Sequence, residues 1–248
     1  MILLSITGQD TLAAATRECC VRHFAVTTKP ITGCDILWTA YDVPLSEDGV
    51  AHYDRVLQWI ADDINELIAQ GTENKPLVLI SSQMPVGTIE RFEKGFPGWD
   101  FAYSPENIRV ATAVKDFENQ TRVIVGVRDP KHHAILSELF APFTKRVIFT
   151  DPETAEMTKH ALNCFLGLNI AFANEVARLC VTHNANMDVI TEALRSDFRV
   201  GAKAPLKAGG PFNSGHLERD IFVLNELAKK HGISVPIISH IMESNSGK

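Results

Sequence analysis

Between Thr154 and Cys180 the apolar residues recur at steps of three and four, which is the period of an α-helix. The stretch has no proline and one glycine, Gly167, so the pattern predicts a helix of roughly seven turns. Lys159 and Asn163 fall one turn apart on this helix. Both side chains are therefore expected to address the same small molecule.

Before this helix, short apolar runs alternate with amphipathic segments. The runs predict strands at 1–7, 24–28, 36–40, 77–81, 101–103, 122–125 and 147–149. The amphipathic segments predict helices at 11–23, 54–69 and 131–140. Strands that alternate with helices predict a parallel sheet flanked by helices.

After residue 150 the pattern predicts helices only. Beyond the long helix they are expected at 187–195, 217–231 and 236–243. The segment 201–215, rich in glycine, proline and lysine, is long for a loop in a compact domain, and such loops are usually functional or disordered. The change of pattern predicts two domains, 1–150 and 151–248, joined at the long helix.

Charge and composition exclude several classes of protein. The 248 residues carry a net charge of −6, and phosphate contacts need clustered lysine and arginine, so no nucleic-acid partner is expected. The N-terminus resembles a strand rather than a signal peptide, and no apolar run reaches about 18 residues, so no membrane span is expected. An odd number of cysteines without Cys-x-x-Cys spacing favours the cytoplasm. The histidines lack metal-ligand spacing, so no metal site is predicted.

Several motifs follow one another along the chain. They are Ser82-Gln-Met-Pro-Val-Gly-Thr88, Tyr103-Ser-Pro-Glu106, Glu156-x-x-Lys159-x-x-x-Asn163 continuing to Asn174-Glu175, Asp197-Phe-Arg199-Val-Gly201, and the segment 212–220. In this order they resemble the S-T-V-P-V-G-T, N-P-E, E-x-x-K-x-x-x-N…N-E, D-x-R-I-G and F-G-G-S-C-x-x-K-D segments of the nucleotide-sugar 6-dehydrogenases, the UDP-glucose and GDP-mannose dehydrogenase family. The resemblance covers nearly the whole chain.

This resemblance implies an α/β fold in which a reduced Rossmann-like parallel-sheet domain precedes an all-helical domain with a long connecting helix. It also implies a homodimer formed through that helix. The family has a third, C-terminal domain that holds the nucleotide, and this sequence is expected to lack it.

The resemblance implies NAD as cofactor, but the residues depart from a dinucleotide site. In the turn after the first strand only Gly8 is kept, and the next glycine position is Asp10, whose carboxylate would repel a diphosphate. Asp10 also fits the N-cap of the following helix. Lys29 stands where an acidic residue would bind the ribose. The expected cofactor site is therefore degraded, with Gly8, Ser82 and Gln83 as its remaining contacts.

A second departure concerns the catalytic cysteine of the family, which stands four residues before an aspartate. Counting back from Asp220 reaches His216. The family oxidises an alcohol to an acid in two hydride steps through a thiohemiacetal on that cysteine, and imidazole forms no comparable adduct. Cys164 and Cys180 lie on the long helix, and neither is an obvious substitute. The full oxidation is therefore expected to be lost.

The remaining family positions are polar. By resemblance Glu106 would hold or activate a water, Lys159 and Asn163 would stabilise an oxyanion, and Asp220 would assist proton transfer, with His216 as a further candidate. Substrate contacts are implied for Lys207, Arg199, Phe212 and Arg219, with Arg199 reaching across the dimer interface. The alternative interpretations are a solvated helix face for Lys159 and Asn163, a turn carboxylate for Glu106 and a loop histidine for His216.

Three functions remain open at this point. The first is a divergent homologue that has lost NAD-dependent oxidation and keeps an acid-base, anion-binding pocket for a sugar-like or phosphorylated small molecule, with or without altered chemistry. The second is a weak NAD(P)-dependent oxidoreductase acting on a nucleotide sugar. The third is a dimeric binding or regulatory protein without catalysis.

Overall fold

The computed structural model describes residues 1–44, 51–106, 109–213 and 215–247. Its strands are β1 (Leu3–Thr7), β2 (Ala25–Thr27), β3 (Ile36–Thr39), β4 (Leu77–Ile80), β5 (Phe101–Tyr103), β6 (Val123–Val127) and β7 (Val147–Thr150). Within the described residues they form a seven-stranded sheet in the order β2-β1-β3-β4-β5-β6-β7.

Every neighbouring pair in this sheet is parallel except β5 and β6. The α/β prediction is confirmed, but a wholly parallel sheet is wrong at this one pair. The described part of the segment 104–122 between the two strands carries only short helices. An antiparallel pair needs no helix that crosses back along the full length of the sheet.

The helices are α1 (Thr11–Cys20), α2 (Tyr53–Ala69), α3 (Thr88–Gly95), α4 (Ala113–Glu118), α5 (His133–Phe140), α6 (Pro152–Thr182), α7 (Met187–Ser196), α8 (His216–Lys230) and α9 (Pro236–Ser246). Two of them, α3 and α4, were not predicted. They have 8 and 6 residues, too few turns for a helical period to stand out from the background pattern.

Helices cover both faces of the sheet because its central strands are apolar on both sides. All residues of β3 and β4 are buried. On one face Trp38 packs edge-on against Phe140 of α5, with a ring-centroid distance of 5.6 Å. On the other face Ile60 and Ile64 of α2 join Phe92 of α3 in a second cluster. Such coverage is typical of doubly wound α/β domains.

The chain divides into two compact units, unit 1 at Met1–Lys159 and unit 2 at His160–Lys248. The division falls inside α6, so the predicted domain ranges, 1–150 and 151–248, stay predictions. Unit 2 has its own core, in which Cys164 and Ala171 of α6 pack with Ile221 and Leu224 of α8 and Ile241 of α9.

Helix α6 has 31 residues and begins after Asp151, whose carboxylate accepts a hydrogen bond from the Thr154 N–H at 2.8 Å. By length and composition it could cross a membrane: its most apolar 18-residue window has a mean hydropathy of 1.4 and is 33% buried. The core helix of a soluble protein meets the same criterion. That no segment crosses a membrane stays a prediction.

Candidate functional site

One group of candidate residues lies at the end of β1 in unit 1. Gly8 has φ of +109°, and a Cβ there would lie 2.4 Å from the Ala40 carbonyl oxygen. Only glycine fits this close approach of two backbone segments. Gly8 borders a cavity of about 750 Å³, whose walls come from the turns after β1 and β3 and from α2.

The carboxylate of Asp10 caps the N-terminus of α1. Its Oδ1 accepts a hydrogen bond from the Ala13 N–H at 3.0 Å, and its Oδ2 accepts one from the Asp42 N–H at 2.6 Å. The N-cap interpretation of Asp10 is therefore confirmed. A helix N-terminus binds phosphate through free N–H groups and a positive dipole end, and here a carboxylate of the chain already occupies that position.

Some residues at this end of unit 1 fit NAD and others do not. Gly8 and the cavity fit a dinucleotide, whereas Asp10 opposes the pyrophosphate and Lys29 offers no carboxylate to a ribose hydroxyl. Ser82 is fully buried, and its hydroxyl accepts a hydrogen bond from the Tyr41 N–H at 3.0 Å, which joins the ends of β3 and β4. Gln83 follows it, half-buried, and is outside the residues that line the cavity.

Glu156 and Lys159, two of the charged side chains in the first two turns of α6, have different partners. Glu156 is fully buried, and its carboxylate accepts hydrogen bonds from the N–H groups of Gly87 at 2.6 Å and Ile89 at 2.9 Å, at the start of α3. Lys159, half-buried, donates from Nζ to the main-chain carbonyl of Glu106. Glu156 thus anchors α6 against the N-terminus of α3, and Lys159 and Glu106 are brought together.

In unit 2 the predicted residues Asn163 and Asp220 meet in the interior. Asp220 is fully buried, and its Oδ2 accepts a hydrogen bond from Asn163 Nδ2 at 2.5 Å. Its Oδ1 lies 2.5 Å from Nδ1 of His160, which is also fully buried. A buried carboxylate held by an amide and an imidazole is suited to acid-base chemistry.

Sequence reasoning missed His160 and the structural role of Glu156. The signal was present, because Glu156, Lys159, His160 and Asn163 follow the spacing i, i+3, i+4 and i+7 on α6. This spacing could not identify the hydrogen-bond partner of His160, because Asp220 is 60 residues away along the chain.

His216 is the first residue of α8 and is exposed. Its Nδ1 lies 3.3 Å from an Nη atom of Arg219, and the Arg219 side chain is buried. On α8 His216 therefore lies one turn before Asp220, and its partner Arg219 directly precedes Asp220.

Four side chains fix the loop that follows α7. Asn174 of α6 accepts hydrogen bonds from the N–H groups of Gly209 and Gly210 and donates to the Gly210 carbonyl. The other three are Thr191, which donates to the Leu206 carbonyl, Arg195, which donates to the Ala204 carbonyl, and Asn245, which bonds both main-chain groups of Phe212. The described part of the predicted loop is therefore ordered by helices; Ser214 lies outside the described residues.

The predicted substrate contacts of this loop have different surroundings. Lys207 is exposed and borders a second, smaller cavity beside α7. Phe212 is half-buried and packs over Gly167, where an added Cβ would lie 3.4 Å from its ring. Arg199 is exposed and pairs with Asp197 at 2.6 Å. Within unit 2 the structure does not bring Arg199 to Asp220 through any described hydrogen bond.

All five cysteines are buried and free of disulfides. Burial raises the pKa of the Cys164 thiol to about 12, which keeps it protonated at neutral pH. No group of three or more His, Cys, Asp or Glu side chains among the described residues is placed to hold a metal ion.

Comparison with known proteins decides the family. Residues 6–144 match the NAD binding domain of the UDP-glucose/GDP-mannose dehydrogenase family, and residues 153–247 match its central domain. The chain belongs to this family. Its members include the UDP-glucose 6-dehydrogenase TuaD of Bacillus subtilis (strain 168), which is 31% identical over 222 residues, or 87% of this chain and 47% of that protein. A UDP-glucose 6-dehydrogenase of Rickettsia felis is 29% identical over 223 residues, 87% of this chain and 48% of that protein. The chain thus spans about half the length of the curated relatives it matches.

Solved structures of the family share the fold. A UDP-glucose dehydrogenase from Pyrobaculum islandicum superposes with a TM-score of 0.84 at 21% identity, over 100% of this chain and 68% of that chain. A UDP-D-ManNAc dehydrogenase from Pyrococcus horikoshii superposes with a TM-score of 0.76 at 20% identity, over 98% of this chain and 68% of that chain. At these identities the superpositions establish the architecture alone.

Proposed function

We propose that this chain binds a nucleotide sugar, or a related phosphorylated and sugar-like anion, and does not catalyse the NAD-dependent oxidation of an alcohol to an acid. The observation that carries the proposal is the cluster of Asp220, Asn163 and His160 in unit 2. Burial of a carboxyl group is unfavourable without polar partners, so this buried polar cluster is better explained by a functional role than by packing alone.

Cationic and polar groups of the expected kind support binding of an anion. Lys159 donates to the Glu106 carbonyl, so its ammonium is held in a fixed place. Lys207 is carried by a loop whose main chain is fixed by side chains from three helices. Preorganised donors of this type lower the entropy cost of binding.

Two features support the loss of the oxidation. His216 stands in the position of the family cysteine, and the buried Cys164 stays protonated, so neither supplies a thiolate for a covalent intermediate. Asp10 caps the helix that would bind the pyrophosphate. Acid-base chemistry by Asp220 and its partners on the same ligand remains part of the proposal.

A retained NAD(P)-dependent oxidoreductase is the second candidate. The match of residues 6–144 to the NAD binding domain and the close backbone approach at Gly8 favour it. Cofactor binding distinguishes the two candidate functions. Calorimetric titration with NAD and NADP is expected to give no binding below about 1 mM, and formation of NADH from UDP-glucose would establish the second candidate.

We also propose that the chain forms a homodimer through α6. Phe165, Phe172 and Leu179 recur at seven-residue spacing on this helix and are 60%, 47% and 68% exposed. Such a stripe of large apolar side chains is typical of a helix that packs against another chain. A dimer without catalysis, acting as a binding or regulatory protein, is the outcome expected if nucleotide sugars bind but are not altered.

The binding proposal is tested by calorimetric titration with UDP-glucose and GDP-mannose. Wild type is expected to bind at least one of them, and Lys159→Ala and Asp220→Asn are each expected to weaken binding by about tenfold or more, or about 1.4 kcal/mol. Lys145→Ala, which removes an exposed lysine of unit 1, is the matched control and should leave the affinity unchanged. Absence of saturable binding by wild type, or equal affinity in Lys159→Ala, would contradict the proposal.

A further inference from the structure

The cavity of unit 1 lies where the order of strands reverses. The chain places β2 on one side of β1 and then β3 on the other, so the carboxyl ends of β1 and β3 flank a crevice. Ligands of open α/β sheets bind in such crevices. Its volume of about 750 Å³ is within the usual range for a small-molecule pocket.

The charges along this cavity are mostly negative. Its described lining includes five carboxylates, and they are Asp10, Asp42, Asp62, Asp63 and Glu66. Lys29 is the one ammonium group among the same described residues. A crevice with this balance of charge raises the local concentration of cations and lowers that of anions such as a dinucleotide.

One of these carboxylates has an oxygen without a donor. Asp63 is 9% exposed, and its Oδ2 accepts hydrogen bonds from the Thr7 hydroxyl at 2.7 Å and the Tyr41 hydroxyl at 2.8 Å. No hydrogen bond reaches Oδ1 from the part of the chain that the structure describes. Oδ1 is accessible from the cavity rather than enclosed, so a ligand that donates a hydrogen bond can reach it.

Aromatic rings line the cavity beside Asp63. Tyr41 and Trp59 both border it, and their ring centroids are 5.4 Å apart. The faces of tyrosine and tryptophan attract ammonium and guanidinium groups and also cover hydrocarbon chains. An accessible carboxylate oxygen next to aromatic faces is suited to binding an organic cation.

We propose that this cavity binds a small organic cation bearing an ammonium or guanidinium group. The cationic group donates to Asp63 Oδ1, and the hydrocarbon part of the ligand contacts Tyr41 and Trp59. The inference shares with the proposed function only the exclusion of NAD, and it concerns a different ligand from the nucleotide sugar.

The test is calorimetric titration of the whole chain with agmatine, which carries both a guanidinium and an ammonium group, and with spermidine. Saturable binding of at least one probe by wild type is expected. Asp63→Asn keeps an acceptor for Thr7 and Tyr41 but loses the charge, and it should weaken binding at least tenfold. Trp59→Ala should also weaken it.

Asp54→Asn is the matched control, because Asp54 lies on the same helix with a side chain that is 97% exposed and outside the cavity lining. Its affinity for the probes should equal that of wild type. Three outcomes would overturn the inference: no saturable binding of either probe, equal affinity in Asp63→Asn, or full displacement of the probes by an equal concentration of Mg²⁺. Nucleotide-sugar titrations are independent of these outcomes, so each proposal fails separately.

Discussion

Glu156 is a sensitive position for testing how α6 is held in unit 1. The prediction concerns Glu156→Ala and Glu156→Gln. The carboxylate is fully buried and accepts the N–H groups of Gly87 and Ile89, which begin α3 and have no helical acceptor of their own. Removing the side chain leaves both groups without this acceptor.

The size of the effect follows from these contacts. Each buried N–H that loses its acceptor costs about 1–3 kcal/mol. The lost negative charge at the N-terminus of a helix adds about 0.3–1 kcal/mol. Glu156→Ala is therefore expected to destabilise unit 1 by roughly 2–7 kcal/mol, which is comparable with the whole stability of many domains. Glu156→Gln keeps one acceptor oxygen and should lose roughly half as much.

Two assays measure this effect. Urea denaturation gives the loss of global stability, and hydrogen exchange followed by mass spectrometry reports the protection of α3 itself. Protection of peptides covering 87–95 should fall most in Glu156→Ala. The control is Glu153→Ala, one turn earlier on α6, which removes a surface ion pair with Arg128 worth at most about 1 kcal/mol. The reasoning is refuted if Glu156→Ala and Glu153→Ala have equal stability, or if α3 stays as protected as in wild type.

Three further predictions concern Asp63, Cys164 and α6. Burial raises the pKa of the Asp63 carboxyl above its value in the unfolded chain, which is about 3.9. Protonation of Asp63 therefore stabilises the folded chain fully below a pH of about 3.9, and this stabilisation is lost as the pH rises through the pKa of Asp63 in the folded chain. The urea midpoint of Asp63→Asn minus that of wild type should therefore increase from acid to neutral pH, and a difference independent of pH would contradict this. Cys164 is buried and its thiol has a pKa of about 12, so it should resist iodoacetamide in the folded protein at neutral pH and react in urea. Mass spectrometry of the peptide that contains Cys164 measures the labelling. Rapid labelling of the folded protein would be inconsistent with the burial of Cys164. Phe172→Glu should convert the proposed dimer to a monomer in analytical ultracentrifugation. The control is Phe222→Glu on α8, which replaces a phenylalanine that is 62% exposed and should leave the dimer intact. A dimer in both variants would exclude the apolar stripe on α6 as the interface.

The sequence predicted the elements whose signals are local. The strands and the longer helices were found because their apolar periods are sustained, and α6 was the clearest of them. The order of motifs identified the family, which the comparisons confirmed over residues 6–144 and 153–247. The capping role of Asp10 was also among the predictions, since an N-cap depends on neighbouring residues only.

The tertiary structure alone determined the contacts between residues that are far apart in the chain. The partners in the bonds from Thr7 to Asp63, from Gly87 to Glu156 and from Asn163 to Asp220 are separated by 56, 69 and 57 residues. No local pattern encodes such a pairing, because it depends on how strands and helices pack. For the same reason His160 was an ordinary helix residue in the sequence, and became part of the candidate site only when folding buried it beside Asp220.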